Sequence, residues 1–382
     1  MKRLAPHIVE LPRSGIRDFF ELVIGRDDVV SLGVGEPDFV TPWHIREASI
    51  FAIERGKTMY TSNFGLLSLR EEISTYLAPR IGHTYAPSNE VLVTVGVSEA
   101  FDLALRALIE PGDEVIYHSP AFVSYGNIVR MCHGVPKAVP TYLANNFDLL
   151  ADDLAKAITP KTKAIIICFP NNPTGATGNI DELKRIAELA AKHGIYVIVD
   201  EIYSELIYDT FESIARHLPK ENLIYLNGFS KSYAMTGYRL GYACGTPPVI
   251  ESMMKIHQYT MMCASVIAQE AAIEALRNGG EEREKMRREY EQRRNFIYAG
   301  LKDIGLDCFL PKGAFYVFPS VKKTGLSGKE FALKLLNEEN IAVVPGEAFG
   351  VEGKDNIRCC YAVSLTDIEF AINGMKKMIK RL

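Results

Sequence analysis

Two cations in one short stretch define the chemistry open to this chain. The run Asn227-Gly-Phe-Ser-Lys-Ser-Tyr-Ala-Met-Thr-Gly-Tyr-Arg-Leu-Gly-Tyr242 puts Lys231 just past the β-like segment Leu223-Ile-Tyr-Leu226, with Arg239 eight residues further on. A lysine at a strand end, among small and hydroxylic residues, can be kept dry enough to react as a neutral amine. A nearby arginine offers a permanent charge for a phosphate. An amine beside a phosphate clamp is the equipment for holding pyridoxal phosphate as a Schiff base. A surface lysine followed by a loop arginine fits the same residues, so other segments must decide.

Four segments bear on it. Thr94-Val-Gly-Val-Ser-Glu-Ala100 is a glycine turn leading into a helix read from residue 98, whose free N–H groups and dipole would attract a phosphate. A plain connection would look the same. Phe169-Pro-Asn-Asn-Pro-Thr-Gly175 follows the apolar run Ala164-Ile-Ile-Ile-Cys168 and puts Asn172 at a strand's C-terminal end, or simply makes a turn. Val199-Asp-Glu-Ile-Tyr203 ends the run Tyr196-Val-Ile-Val199 with a carboxylate in very apolar surroundings. Burying Asp200 unpaired costs on the order of several kcal/mol, so it needs a cation, a helix N-cap or an ion pair; a protonated pyridine nitrogen would serve. Asn356-Ile-Arg358 places an arginine in a β-rich run, either an ordinary strand residue or a bidentate clamp for a carboxylate.

The elements that must position these groups alternate in type. Strand-like runs at Val91–Val95, Glu114–Tyr117, 164–168, 196–199 and 223–226 are separated by helical patterns. Phe101, Ala104, Leu105 and Leu108 share one such helical face, and Ile180, Leu183, Ile186, Ala187 and Ala190 another. Runs apolar throughout are strands buried on both faces, which predicts an α/β domain with a mainly parallel sheet. Ligands of such sheets bind at the loops after the strands. Past Gly279-Gly280 a long charged helix runs to about Gly305 on the stripe Met286, Tyr290, Ile297, Leu301 and Ile304. The runs Ala314–Phe318, Ile341–Val344 and Asn356–Tyr361 then predict a smaller α+β domain. We expect residues 45–280 to form the large domain and 1–44 with 281–382 the small one.

Bulk properties exclude several classes. The 382 residues suffice for about two domains. A net charge of −4 argues against nucleic acid or anionic membrane as partner. Seven cysteines without a C-x-x-C fit reduced thiols better than disulfides or zinc, and the eight histidines show no ligand spacing, so no metal is expected. No apolar run reaches a membrane span, and Met1-Lys-Arg-Leu-Ala-Pro-His7 leads into no apolar signal segment. A cytoplasmic protein is expected.

Taken in order, glycine turn, Asn-Pro-Thr-Gly, Asp-x-x-Tyr, Ser-Lys with its arginine and a late arginine, the chain resembles the class I/II aminotransferases, the aspartate and aromatic aminotransferase family of pyridoxal phosphate enzymes with fold type I. The resemblance spans nearly the whole chain, including Ser31-Leu-Gly-Val-Gly-Glu-Pro-Asp-Phe39 and Lys312-Gly-Ala-Phe-Tyr-Val-Phe-Pro319. Ser119-Pro-Ala-Phe-Val-Ser-Tyr125 makes it similar to prokaryotic aromatic or broad-range members. The resemblance implies Lys231 as the cofactor-linked base, Asp200 at the pyridine nitrogen, and Asn172 and Tyr203 at the phenolic oxygen. It implies Phe122 stacked on the ring, and the amides at Val97 and Ser98 with Ser230 and Arg239 on the phosphate. Arg358 would hold the substrate carboxylate, aided by Asn172 and the backbone at Gly35. A homodimer is implied, with Tyr60 reaching the neighbouring subunit's phosphate.

Some positions depart from the family pattern. Val97 stands where a second glycine is frequent, Gly228 where some relatives use a phosphate-binding serine, and Tyr238 where tryptophan is frequent. Ser98 stands where some prokaryotic aspartate-specific members carry a lysine, which favours an aromatic or broad-range donor with 2-oxoglutarate as acceptor. An aspartate-type enzyme, a β-lyase and a non-catalytic sensor of the cofactor are the alternatives; the sensor lacks a basic DNA-binding segment. Side-chain specificity is expected to depend on Ser14–Arg17, the Trp43 region and loops of the partner subunit.

Overall fold

The computed structural model describes residues 3–21 and 23–382; Met1, Lys2 and Leu22, all in the segment assigned to the smaller domain, lie outside the described residues. The strands are β1 (Val30–Ser31), β2 (Val91–Thr94), β3 (Glu114–Ser119), β4 (Val135–Pro140), β5 (Thr162–Cys168), β6 (Tyr196–Asp200), β7 (Leu223–Gly228), β8 (Gly241–Cys244), β9 (Tyr316–Val317), β10 (Ile341–Ala342), β11 (Val344–Pro345) and β12 (Ile357–Cys360). β2 to β8 form one seven-stranded sheet in the order β2-β8-β7-β6-β5-β3-β4. Only β8 runs against its neighbours, so β2 points the same way as the parallel strands.

Strand alternation explains the layers. In β5, Ile165 and Ile167 face one apolar core while Ala164, Ile166 and Cys168 face another. The helices Leu67–Ile81, Ile180–His193 and Val266–Asn278 cover the first face; Gly96–Leu108 and Pro247–Thr260 cover the second. Continuous apolar strands are the consequence of burial on both sides. Asn179 caps its helix by accepting from Asp181 and Glu182 amides, and left-handed Gly194 ends it.

Two predicted details differ. The helix after β2 starts at Gly96, not residue 98, because the Glu99 carboxylate reaches back to the Val95 amide and organises the turn earlier. Three strands were not foreseen: the short β1, the edge strand β4, which carries two prolines and a mixed exposure pattern, and β8, which begins inside the stretch read as a cofactor loop.

Apart from the large sheet, a separate core gathers Met286, Tyr290, Ile297 and Leu301 of helix Gly280–Asp303 with β9, β10 and β12. Here β11-β12-β9 form an antiparallel sheet and β1 pairs in parallel with β10, Val30 opposite Ile341. The amino-terminal segment divides between the two cores. Val29, Leu32 and Phe39 join this smaller one, whereas Ile16 packs on the core of the large sheet and the His7 ring lies 4.3 Å from His133.

Candidate active site

Because β2, β3, β5, β6 and β7 run the same way, their C-terminal ends deliver Gly96, Pro120, Asn172, Asp200 and Lys231 to one edge of the sheet. A cavity of about 540 Å³ opens there, between this edge, the Val34–Glu36 segment and Tyr316 with Arg358 of the small sheet. Every residue predicted for the site lines it except Tyr60. Tyr60 is 80 % exposed and stands away from the cavity of its own chain. Of the positions expected to set specificity, Ile16 lines the cavity and Trp43 does not, being directed to the surface.

Lys231 donates from Nζ to the Gly35 carbonyl at 2.7 Å. Burial lowers its pKa to about 8; Arg358 and Arg239 push the same way and Glu36 opposes them. An amine in that range supplies its neutral form near neutral pH. Arg239 holds a left-handed backbone and donates to the Thr236 carbonyl, with no ion pair among the described residues. It faces Gly96, where a Cβ would lie 2.9 Å from its guanidinium, on a backbone with φ +77. Gly241 of β8 is as constrained, since a Cβ there would meet the Val97 nitrogen at 2.6 Å. Glycine at both positions leaves a cradle lined by backbone N–H groups beside an uncommitted cation.

Asp200 is buried at the end of β6 and forms no ion pair among the described residues. Burial raises its pKa to about 6, opposed by hydrogen bonds from the Tyr125 hydroxyl and the Ile202 amide. The neighbouring Glu201, raised to about 7 by burial, turns away to accept from Ser213 and Tyr225. Tyr203 pairs its hydroxyl with that of Tyr316 at 2.9 Å. Phe122 stands at the same wall, 5.8 Å from the Tyr125 ring.

Arg358 is the opposite pole. Its guanidinium lies 4.5 Å from the Tyr316 ring and 4.8 Å from the Phe349 ring. It donates to Asn172 Oδ1 at 2.9 Å and to the Gly33 carbonyl at 2.6 Å, while its Nε has no partner. Gly33 thus braces Arg358 through its carbonyl, while the Gly35 carbonyl accepts from Lys231. The guanidinium lines the cavity, where its fork suits a carboxylate.

Three participants were not foreseen. Tyr125 and Tyr316 lay in stretches used only for the resemblance; the signal for Tyr125 was its spacing of three from Phe122. Phe349 carried no local signal at all.

A buried carboxylate with no cation paired to it among the described residues, a half-buried amine and the glycine-lined turn beside Arg239 fit a phosphorylated pyridine aldehyde. Fold and site thus define a pyridoxal phosphate enzyme. A family model for aminotransferase class I and II matches residues 27–374, and the chain belongs to that family. It is 50% identical over 381 residues to the Bacillus subtilis protein YugH, covering 99% of this chain and 98% of that one. The solved aromatic aminotransferase of Pyrococcus horikoshii OT3 superposes with a TM-score of 0.91 at 42% identity, over 96% of this chain and 99% of the other. The aspartate aminotransferase of Thermus thermophilus with maleate gives 0.94 at 35% identity, over 99% and 100%. The protein is therefore an aminotransferase that uses pyridoxal phosphate. Among the described residues, no helix is long and apolar enough to cross a membrane.

Proposed function

We propose that this enzyme moves the amino group of an aromatic or broad range of amino acids to 2-oxoglutarate. The observation that carries the proposal is the pairing of Lys231 with Arg358 across one cavity whose remaining walls include Ile16, Val34, Phe122 and Ile128. Arg358 binds the α-carboxylate with help from Asn172 and the backbone near Gly35, and so fixes the direction of the Cα–H bond. Lys231, neutral when it acts, would be the base that takes the proton from Cα and, with the cofactor bound, would hold it for return to the cofactor's carbonyl carbon. Bound pyridoxal phosphate supplies a carbonyl that condenses with amines and a protonated ring that draws electrons from the neighbouring carbon. In this reading Asp200 keeps the ring nitrogen protonated, and Asn172 and Tyr203 hydrogen-bond the phenolic oxygen. Phe122 stacks on the ring; Ser98, Ser230, Arg239 and the Val97 amide hold the phosphate.

The cations lining the cavity are Lys231, Arg239 and Arg358. All three have roles in this scheme, and the serine at position 98 adds none. An apolar or aromatic donor side chain suits these walls, and the second carboxylate of 2-oxoglutarate has to be met by a group outside this lining. Tyr60, exposed in its own chain, can serve a phosphate only across a subunit boundary, which supports a homodimer. The proposal assigns 45–280 to a cofactor-binding domain and 1–44 with 281–382 to a smaller one, supported by the pairing of β1 with β10. Seven free thiols support a cytoplasmic setting.

A half-reaction screen tests the substrate reading. Loss of the bound cofactor's absorbance is followed with each amino acid, and rate constants are ranked. Aromatic amino acids should lead; aspartate ahead of them by tenfold or more would overturn the assignment, and pyruvate release without any acceptor would point to elimination instead.

A further inference from the structure

Tyr125 is the second residue of helix Ser124–Met131, reached through the loop after β3, while Asp200 ends β6 two strands away. The fold nevertheless brings the tyrosine hydroxyl to Asp200 Oδ2 at 2.8 Å, and the Ile202 amide to Oδ1 at 3.2 Å. The ring is fixed between Phe101, at 4.9 Å, and Phe122, at 5.8 Å. Burial, with Asp200 beside it, holds the phenol protonated far above neutral pH, so it acts as a donor. A hydrogen bond donated to a carboxylate favours the charged form, and a buried carboxylate with too few donors takes up a proton instead. A phenylalanine would pack among these rings equally well; the hydroxyl is explained by the carboxylate it reaches.

We infer that Tyr125 is a positioning residue that keeps Asp200 ionised and aims its free lone pairs at the cofactor's ring nitrogen. The inference rests on the proposed placement of Asp200 at that nitrogen. Tyr125 does not itself touch substrate; it acts through the carboxylate. Its contact with Phe122 ties the stacking wall to the same carboxylate.

The test uses the holoenzyme and two cofactors, pyridoxal phosphate and its deaza analogue with CH in place of the ring nitrogen. For Tyr125→Phe, the dissociation constant of pyridoxal phosphate should rise roughly tenfold, as expected for a lost hydrogen bond to a charged group. The deaza analogue, having no nitrogen to pair, should bind wild type and variant alike. In an Asp200→Asn background, Tyr125→Phe should cost nothing further. Equal weakening toward both cofactors would mean that Tyr125 only supports the Phe122 wall and would overturn the inference. If wild type itself does not distinguish the two cofactors, the placement of Asp200 fails and the inference falls with it. An unchanged melting temperature establishes that the variant folds.

Discussion

The two poles of the cavity are built by opposite means. At one, Asp200 is an anion held by neutral donors, the Tyr125 hydroxyl and the Ile202 amide, with no cation among the described residues. At the other, Arg358 is a cation held by neutral acceptors and two aromatic rings. Each charge lacks a counter-charge among the described residues. Burying either costs free energy that an incoming opposite charge recovers, so both poles favour ligands over water. The difference lies in support. Asp200 stands on a central strand of the large sheet, whereas Arg358 stands on β12 of the small sheet and reaches across to Asn172.

Lys231, between the poles, should give the largest effect. Lys231→Ala is expected to lower kcat by at least about 10³-fold, because the proton transfer loses its base. Borohydride reduction followed by peptide mapping should label Lys231; a label elsewhere removes the centre from the comparison. Asp200→Asn comes next, with kcat down about 10²–10³-fold and weaker cofactor binding, but little change in the amino acid KM. Arg358→Lys should do the reverse. It loses the fork geometry, so KM should rise roughly 10–100-fold while cofactor affinity stays near wild type. If both variants disturb both affinities alike, the poles are not separate.

The smallest expected effect is on pH dependence. The Lys231 pKa is lowered to about 8, so its reactive neutral form grows as pH rises. The rate at which apoprotein takes up pyridoxal phosphate should climb roughly tenfold per pH unit below about 8 and level off above it. Stopped-flow absorbance measures this. A flat profile between pH 6 and about 8 would mean that burial does not control the amine.

Much of the Asp200 pole was legible because strand and motif are contiguous: an apolar run ends and the carboxylate follows. The same logic located Lys231 and Asn172. Tyr125 escaped because its partner lies 75 residues away on another strand. β8 escaped because its Gly241, needed for close approach to Gly96 and Val97, reads as loop. The helix start at Gly96 depended on Glu99 bonding back to Val95, which periodicity does not report.

By itself the sequence determined which groups arrive at strand ends, since alternation and helical spacing act over a few residues. It thereby determined the amine and the carboxylate. Only the tertiary structure decided that Arg358 meets Gly33, 325 residues away, that Lys231 reaches the Gly35 carbonyl, and that Tyr60 stays outside its own cavity. Those contacts follow from how the two cores pack against each other, and no local pattern carries that information.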